Sequence, residues 1–410
     1  MTSQKKTRLV PLSEIARIYN GNSINTKVKK EKYLGLNDGL PYIGTKDVGF
    51  DGAVDYETGV RIPTGEPKFK TAPAGTVFVC AEGGSAGKKT ALIDREVCFG
   101  NKLFAIVADS SVCDPEYLYL FTSSPQFKEQ FKALMGGLIG GVTAAKFGSI
   151  EIPLIPLEEQ QMTAKEVSTQ LTALSLHEKS VASLFTKTNH LYQHFIDSTL
   201  DDLAEKTFST LGEHLNEKPR NGKSVRPNPD GRGVRSLSLS ATTSGYFDPQ
   251  YFKYVDIEVP EDSYLWLEPN DILVQRANTI DYVGTAAIYT GGSHEFIYPD
   301  LMMKLTPTRD VTPQFMLLQL QSTVIKNYFK SHATGTAGNM PKINQKTVIN
   351  APFIMVESAV QKMLMDRVSS VQLSIEQMKD QLENVAKKLE LLRLCILQNT
   401  FAGNTVSEEK

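Results

Sequence analysis

The sequence predicts an α+β protein: two similar mixed α/β domains and two long helices forming an antiparallel coiled coil, in an internal pseudo-two-fold repeat. Three observations carry this. Between Leu364 and Ile396 an apolar residue recurs at alternating steps of four and three, with no Gly or Pro inside. A period of 3.5 residues calls for a second helix alongside. The Gly- and Pro-free stretch from Glu158 to Asp202 supplies one. Finally, the texture of short apolar runs broken by turns appears twice, each time just before one of these helices.

The second seam comprises Val368, Val371, Ile375, Met378, Leu382, Val385, Leu389 and Leu392 between its end residues. The first comprises Leu171, Leu174, Val181 and Phe185, then Tyr192 and Phe195, with Glu178 and Thr188 as polar breaks. A shift of about 197 residues places Leu171 on Val368 and Leu174 on Val371. A helix of about 33 residues is roughly 50 Å long, a rigid ruler between the domains.

Within the first domain the runs Pro41 to Gly44, Thr76 to Cys80, Thr90 to Ile93 and Leu103 to Val107 read as strands. Asp114-Pro115 opens a helix, Asp as cap and Pro at the first helical position. A glycine-dense loop from Gly136 to Gly148 precedes a closing strand, Ile150 to Ile155. The second domain repeats the order. Leu211-Gly212-Glu213 stands for Leu12-Ser13-Glu14, Asp271 to Tyr289 for Gly75 to Ile93, Thr312-Pro313 for Asp114-Pro115, and Thr336-Ala337-Gly338 for the glycine loop. The predicted boundaries are 1–156 for the first domain, 157–205 for its helix, 206–356 for the second domain, 357–400 for its helix, and 401–410 for a tail.

Composition narrows the function. The chain has 410 residues, 41% of them hydrophobic, and a formal net charge of -2. No apolar run reaches the ~20 residues of a membrane span and the start lacks a signal-peptide core, so a cytoplasmic protein without a membrane partner is expected. Cys80, Cys98, Cys113 and Cys395 have no metal-knuckle spacing and fit free thiols. DNA binding, at this charge, rests on local patches or on a basic partner.

Lys27, Lys29, Lys30 and Lys32 form one basic cluster. Lys218, Arg220, Lys223, Arg226, Arg232 and Arg235, mixed with Asn221 and Asn228, form another. Each is either a phosphate- and base-contacting loop or a solvated charge run. Further candidates for DNA contact are Lys46, the loop lysines Lys146 and Lys342, and the set Gln275, Arg276 and Asn278. Gly83 to Thr90 superficially suggests a phosphate loop, but Glu82 and Lys89 stand where that motif needs Gly and a hydroxyl. A glycine turn is expected, its Lys88 and Lys89 either touching a DNA backbone or simply solvated. His190 and His194 share a helix face without a third ligand, so no metal site is expected. Trp266 is expected in the core. No methyltransferase or nuclease motif is present, so the chain is expected to bind rather than catalyse, with no catalytic residues and no cofactor of its own.

The pattern resembles the specificity (S) subunit of Type I restriction-modification systems. The carrying residues are Leu12 to Ile15, Pro41 to Asp47 (PYIGTKD), Gly75 to Ile93, Ile152 to Gln160 (IPLIPLEEQ) and Asp271 to Tyr289. The second junction, APFIMVESAVQ, matches mainly by position. The resemblance implies that each domain reads half of a bipartite target in double-stranded DNA. It implies that the helices set the spacer and dock two methyltransferase subunits, that motor-nuclease subunits join for restriction, and that S-adenosylmethionine, ATP and Mg belong to those partners. The alternatives are the recognition chain of a Type II-like fused methyltransferase-nuclease system and a two-domain adaptor that binds proteins.

Overall fold

In the computed structural model, which describes residues 8–136, 141–203, 206–335 and 340–402, the chain divides into two compact units. One comprises residues up to Ala182 and from Glu383 onward; the other is Ser183–Leu382. Residues 137–140 of the predicted glycine loop, the Thr336-Ala337-Gly338 stretch and residues 403–410 of the predicted tail lie outside the described residues.

In the first unit a four-stranded antiparallel sheet runs in the order Ala16–Asn20, Leu103–Ala108, Val77–Cys80, Thr90–Leu92. Its central strands are buried on both faces. Val77, Val79, Phe104 and Ile106 enter the core shared with the helices Pro115–Ser123 and Pro125–Leu134, while Phe78, Cys80, Leu103 and Ala105 enter another core with Ile43 and Phe99. That alternation is the strand period of two, and double burial is why these segments read as unbroken apolar runs. A second four-stranded sheet, Arg61–Ile62, Leu40–Ile43, Val97–Phe99, Thr71–Ala72, supplies Ile43 and Phe99. Strand Arg8–Pro11 pairs with Glu151–Leu154 and closes the domain.

The second unit repeats the frame. Its sheet order is Arg220–Asn221, Met302–Leu305, Ile272–Gln275, Ala286–Ile288, and Thr207–Thr210 pairs with Pro352–Met355. Again Ile272, Val274 and Met303 face one core, and Leu273 and Met302 the other. The helix starts use the predicted chemistry: Asp114 accepts the Glu116 and Tyr117 N–H groups, and Thr312 accepts that of Phe315. Ser124 and Ser322 cap the next helix in each unit. Gly87 and Gly284 have φ of +66° and +84°, and a Cβ there would lie 2.5 Å from Phe131 and 2.4 Å from Phe329. Each glycine is fixed both by its left-handed backbone and by the phenyl ring against it.

The long helices are Leu157–Asp201 and Ser358–Phe401, and each contributes one end to each unit. They are antiparallel. In the first unit Ala164 and Val167 share a core with Leu397 and Phe401, and Glu178 meets Arg393. In the second, Ile196 and Leu200 share a core with Leu364 and Val368.

Two expectations about the helices need correction. The first concerns register. Gln160 and Gln361 occupy matching hydrogen-bonding positions, so Val167 corresponds to Val368 and Leu174 to Ile375, one turn from the predicted match. Heptad seams look alike when slid by three or four residues, and only a polar landmark fixes the register. The second concerns the seam. Leu174, Val181, Val368 and Ile375 are buried, and Leu171, Phe185, Val371, Leu382 and Leu389 are half-buried. Met378, Val385 and Leu392, however, are 45%, 43% and 48% exposed. An α-helix drifts about 20° per heptad from a strict 3.5 repeat. One of the two apolar rows therefore keeps its contact while the other turns outward. Among the described residues no helix is long and apolar enough to cross a membrane.

Candidate nucleic-acid interface

The candidate residues of the first unit lie on loops at the edges of its two sheets. Lys27 pairs with Glu31 on the same short helical segment, and Lys29 sits 5.3 Å from the Tyr42 ring. Lys30 and Lys32 are exposed and make no ion pair among the described residues. Lys46 lies 3.7 Å from the buried Asp47 carboxylate, which also accepts the Gly44 N–H. Lys89 reaches the same loop, donating to the Thr45 carbonyl at 3.1 Å and covering the exposed Phe50 ring at 5.0 Å. Lys88 bonds back to the Gly84 carbonyl across its own turn. The Gly83 to Thr90 segment therefore leads into a strand, as a glycine turn does; a phosphate loop leads into a helix. Lys146 is exposed on the short helix Ala144–Gly148.

In the second unit the candidates separate into three groups. Arg235 lies with its guanidinium 4.4 Å from the Phe296 ring, half-buried on the core. Arg226 and Arg232 are exposed around a turn that Asn228 holds by bonding the Asp230 N–H and the Arg232 carbonyl. Arg220 is held by Glu217 at 2.6 Å and lies 4.9 Å from the Tyr264 ring; Lys223 is exposed beside Ser224, which bonds Asp300. Lys218 is exposed as well.

The set Gln275, Arg276 and Asn278 does not act as one. Gln275 is fully buried, and its amide donates to the Leu239 carbonyl and the Thr242 and Thr243 hydroxyls while accepting from Asn278. Asn278 also accepts the Thr279 N–H. Gln275 is thereby committed to holding the loop after the strand, whereas the half-buried Asn278 keeps one amide hydrogen free among the described residues. Arg276 emerges from the other face of the strand end. Its Nη1 donates to the Asp300 carbonyl at 3.3 Å and its own carbonyl accepts the Ile343 N–H. Lys342, exposed, pairs through its backbone with Thr334 and with Ala277, the residue after Arg276. At the opposite end of the strand Ile272–Gln275, Lys304 and Asp271 make an ion pair at 3.3 Å with less than a tenth of either side chain exposed. Burial pushes the Asp271 carboxyl above its usual range, against the pull of the Glu268 N–H and Lys304.

The sequence reading missed Asn344, Gln345 and Lys346. With Asn221 and Arg276 they line an open cleft of about 330 Å³. The signal was available in the repeat: these polar residues stand where the first unit has Thr143-Ala144-Ala145, at the start of equivalent short helices. His190 and His194 are both exposed, and among the described residues no group of three or more His, Cys, Asp or Glu residues could hold a metal. Trp266 is half-buried, stacked on His294 with ring centroids 5.6 Å apart. Cys80, Cys98 and Cys113 are buried free thiols and Cys395 is an exposed one.

Residues 5–184 match the family described as the Type I restriction modification DNA specificity domain. The chain is 22% identical to the Type I restriction enzyme EcoKI specificity subunit of Escherichia coli K12, over 98% of this chain and 89% of that protein. It is 21% identical to the StySPI specificity subunit of Salmonella potsdam, over 97% and 89%. A solved chain from a study of complex assembly and conformational transition in a type I R-M system superposes with a TM-score of 0.73 at 17% identity, covering 98% of this chain and 99% of that one.

Proposed function

We propose that this chain belongs to the family of Type I restriction-modification specificity subunits and is the DNA sequence-recognition subunit of such a complex, itself non-catalytic. Residues 1–156 read one half of a bipartite target and residues 206–356 the other. The helical regions 157–205 and 357–400 set the spacer and dock two methyltransferase subunits. The observation that carries this reading is one recognition frame built twice in a single chain, with different loop side chains on each copy. A repeated frame with unlike surfaces suits a long polymer read at two places, and duplex DNA offers successive major-groove faces every ~34 Å.

The partners follow from the same reading. The exposed apolar residues Val385 and Leu392 of the second long helix suit helices of docked methyltransferase subunits, and motor-nuclease subunits complete the restriction complex. S-adenosylmethionine, ATP and Mg act in those partners, and the complex works in the cytoplasm. The near-neutral net charge of -2 suits a chain that shares phosphate binding with them.

The test is to express the chain with the methyltransferase encoded beside it and map methylated sites genome-wide. A bipartite motif with a fixed gap supports the reading. Absence of sequence-specific methylation by the assembled complex overturns it, and a motif that appears only with a fused methyltransferase-nuclease polypeptide favours the Type II-like alternative.

A further inference from the structure

We infer that Arg276, Gln345 and Lys346 read base edges in the half-site recognised by the second unit, with Arg276 on a guanine. This rests on the DNA-recognition reading above and deepens it.

The two units share a frame that can be matched residue by residue through the sheet register. Phe104 pairs with Asn20 and Val79, and Met303 with Asn221 and Val274. Asn20 therefore corresponds to Asn221, and Gly21 to Gly222. A Cβ on either glycine would lie 2.0 Å from a carbonyl oxygen, that of Phe99 or of Tyr298. The following residues, Asn22 and Lys223, donate their N–H groups to those same carbonyls at 2.9 and 3.0 Å. One strand further, Ala81 corresponds to Arg276: each donates its N–H at 2.8 Å, to the carbonyl of Lys102 or Leu301, and each accepts from the residue before a short capped helix, Val142 or Ile343. Thr143, Ala144 and Ala145 then correspond to Asn344, Gln345 and Lys346.

On this shared frame the residues that hold the backbone agree and those that line the cleft differ. The first unit presents Ala81, Ala144 and Ala145; the second presents Arg276, Gln345 and Lys346. A purely structural demand would act alike on both copies, because the backbone bonds are the same. A demand to read two different half-sites acts on these positions alone.

The chemistry fits the edges of purines. An arginine fork matches guanine O6 and N7, a glutamine amide matches adenine N6 and N7, and a lysine reaches guanine acceptors or a phosphate. Among the described residues Arg276 spends one donor on the Asp300 carbonyl, and the side chains of Gln345 and Lys346, both exposed, have no partner. The Asn221 amide oxygen lies buried at the edge of the same cleft without a hydrogen-bond partner. The neighbouring Gln275 amide is buried and bonded to Leu239, Thr242, Thr243 and Asn278, so it is not part of this set.

The experiment compares methylation motifs for the full chain, assembled with its methyltransferase, as wild type, Arg276→Ala, Arg276→Lys, Gln345→Ala and Lys346→Ala. Alanine stands at the matching positions of the first unit, so the frame tolerates it; Arg276→Lys keeps the charge and loses the fork. The expected result for Arg276→Ala is loss of preference for a G·C pair at one position of one half-site, a ~10- to 100-fold fall in discrimination, with the other half unchanged. Arg276→Lys is expected to relax the same position. A wild-type bipartite motif that survives all four cleft variants unchanged overturns the inference while the proposed function stands. No wild-type motif at all overturns both.

Discussion

Gln160 and Gln361, both fully buried, make the same three hydrogen bonds in the two units. Gln160 accepts the Asp114 N–H and donates to the carbonyls of Val112 and Ile155; Gln361 accepts the Thr312 N–H and donates to those of Asp310 and Val356. Each ties the first turn of a long helix to the cap of the domain helix Pro115–Ser123 or Pro313–Leu320. Gln160→Ala or Gln361→Ala removes three side-chain bonds to backbone groups that are wholly or partly buried. Each is expected to cost at least about 1–3 kcal/mol, read as a lower urea midpoint at an unchanged slope.

Gly87→Ala and Gly284→Ala place a methyl group on a left-handed backbone and against Phe131 or Phe329. The conformational cost alone is about 1–2 kcal/mol, and the ring contact adds to it. Both variants are expected to melt several degrees lower. A loss no larger than this conformational cost would show that the ring yields freely, and an unchanged melting temperature would refute both effects.

Glu178, a polar break in the first seam, is answered by Arg393, whose Nε and Nη2 donate to its two oxygens at 3.2 and 2.9 Å. About a third of each side chain is exposed, so the coupling measured in a double-mutant cycle is expected near the upper end of the ~0.2–1 kcal/mol found for such pairs. The charge-swapped double variant Glu178→Arg/Arg393→Glu is expected to recover most of the loss that either single variant shows.

Removing one heptad from each long helix shortens both by roughly 10 Å, the length of about three base pairs. The mapped motif is expected to keep both half-sites and lose about three base pairs of gap. A gap that stays fixed would rule out the helices as the ruler.

Lys30, Lys146 and Lys342 are exposed cations without an ion pair among the described residues. Those that touch phosphates are expected, on change to Ala, to weaken binding equally across sequences and to lower the slope of log affinity against log salt by ~0.9 each. Titrating binding at several salt concentrations separates them from lysines that touch nothing.

Sequence alone determined the repeat, the strand and helix order, and the caps at Asp114 and Thr312. All of these are local: alternation of apolar residues, absence of Gly and Pro, and side chains that bond within three residues of themselves. It also marked Arg276 and Lys342. Tertiary structure decided what local pattern leaves degenerate. A heptad seam can slide by a turn at little cost, and only the buried bonds of Gln160 and Gln361 chose the register. Of the adjacent residues Gln275 and Arg276, strand alternation sends one into the core and the other to the cleft, and which is which depends on the packed sheet. Asn344, Gln345 and Lys346 lie more than sixty residues from Arg276 in the chain, and only the folded backbone brings them to one edge.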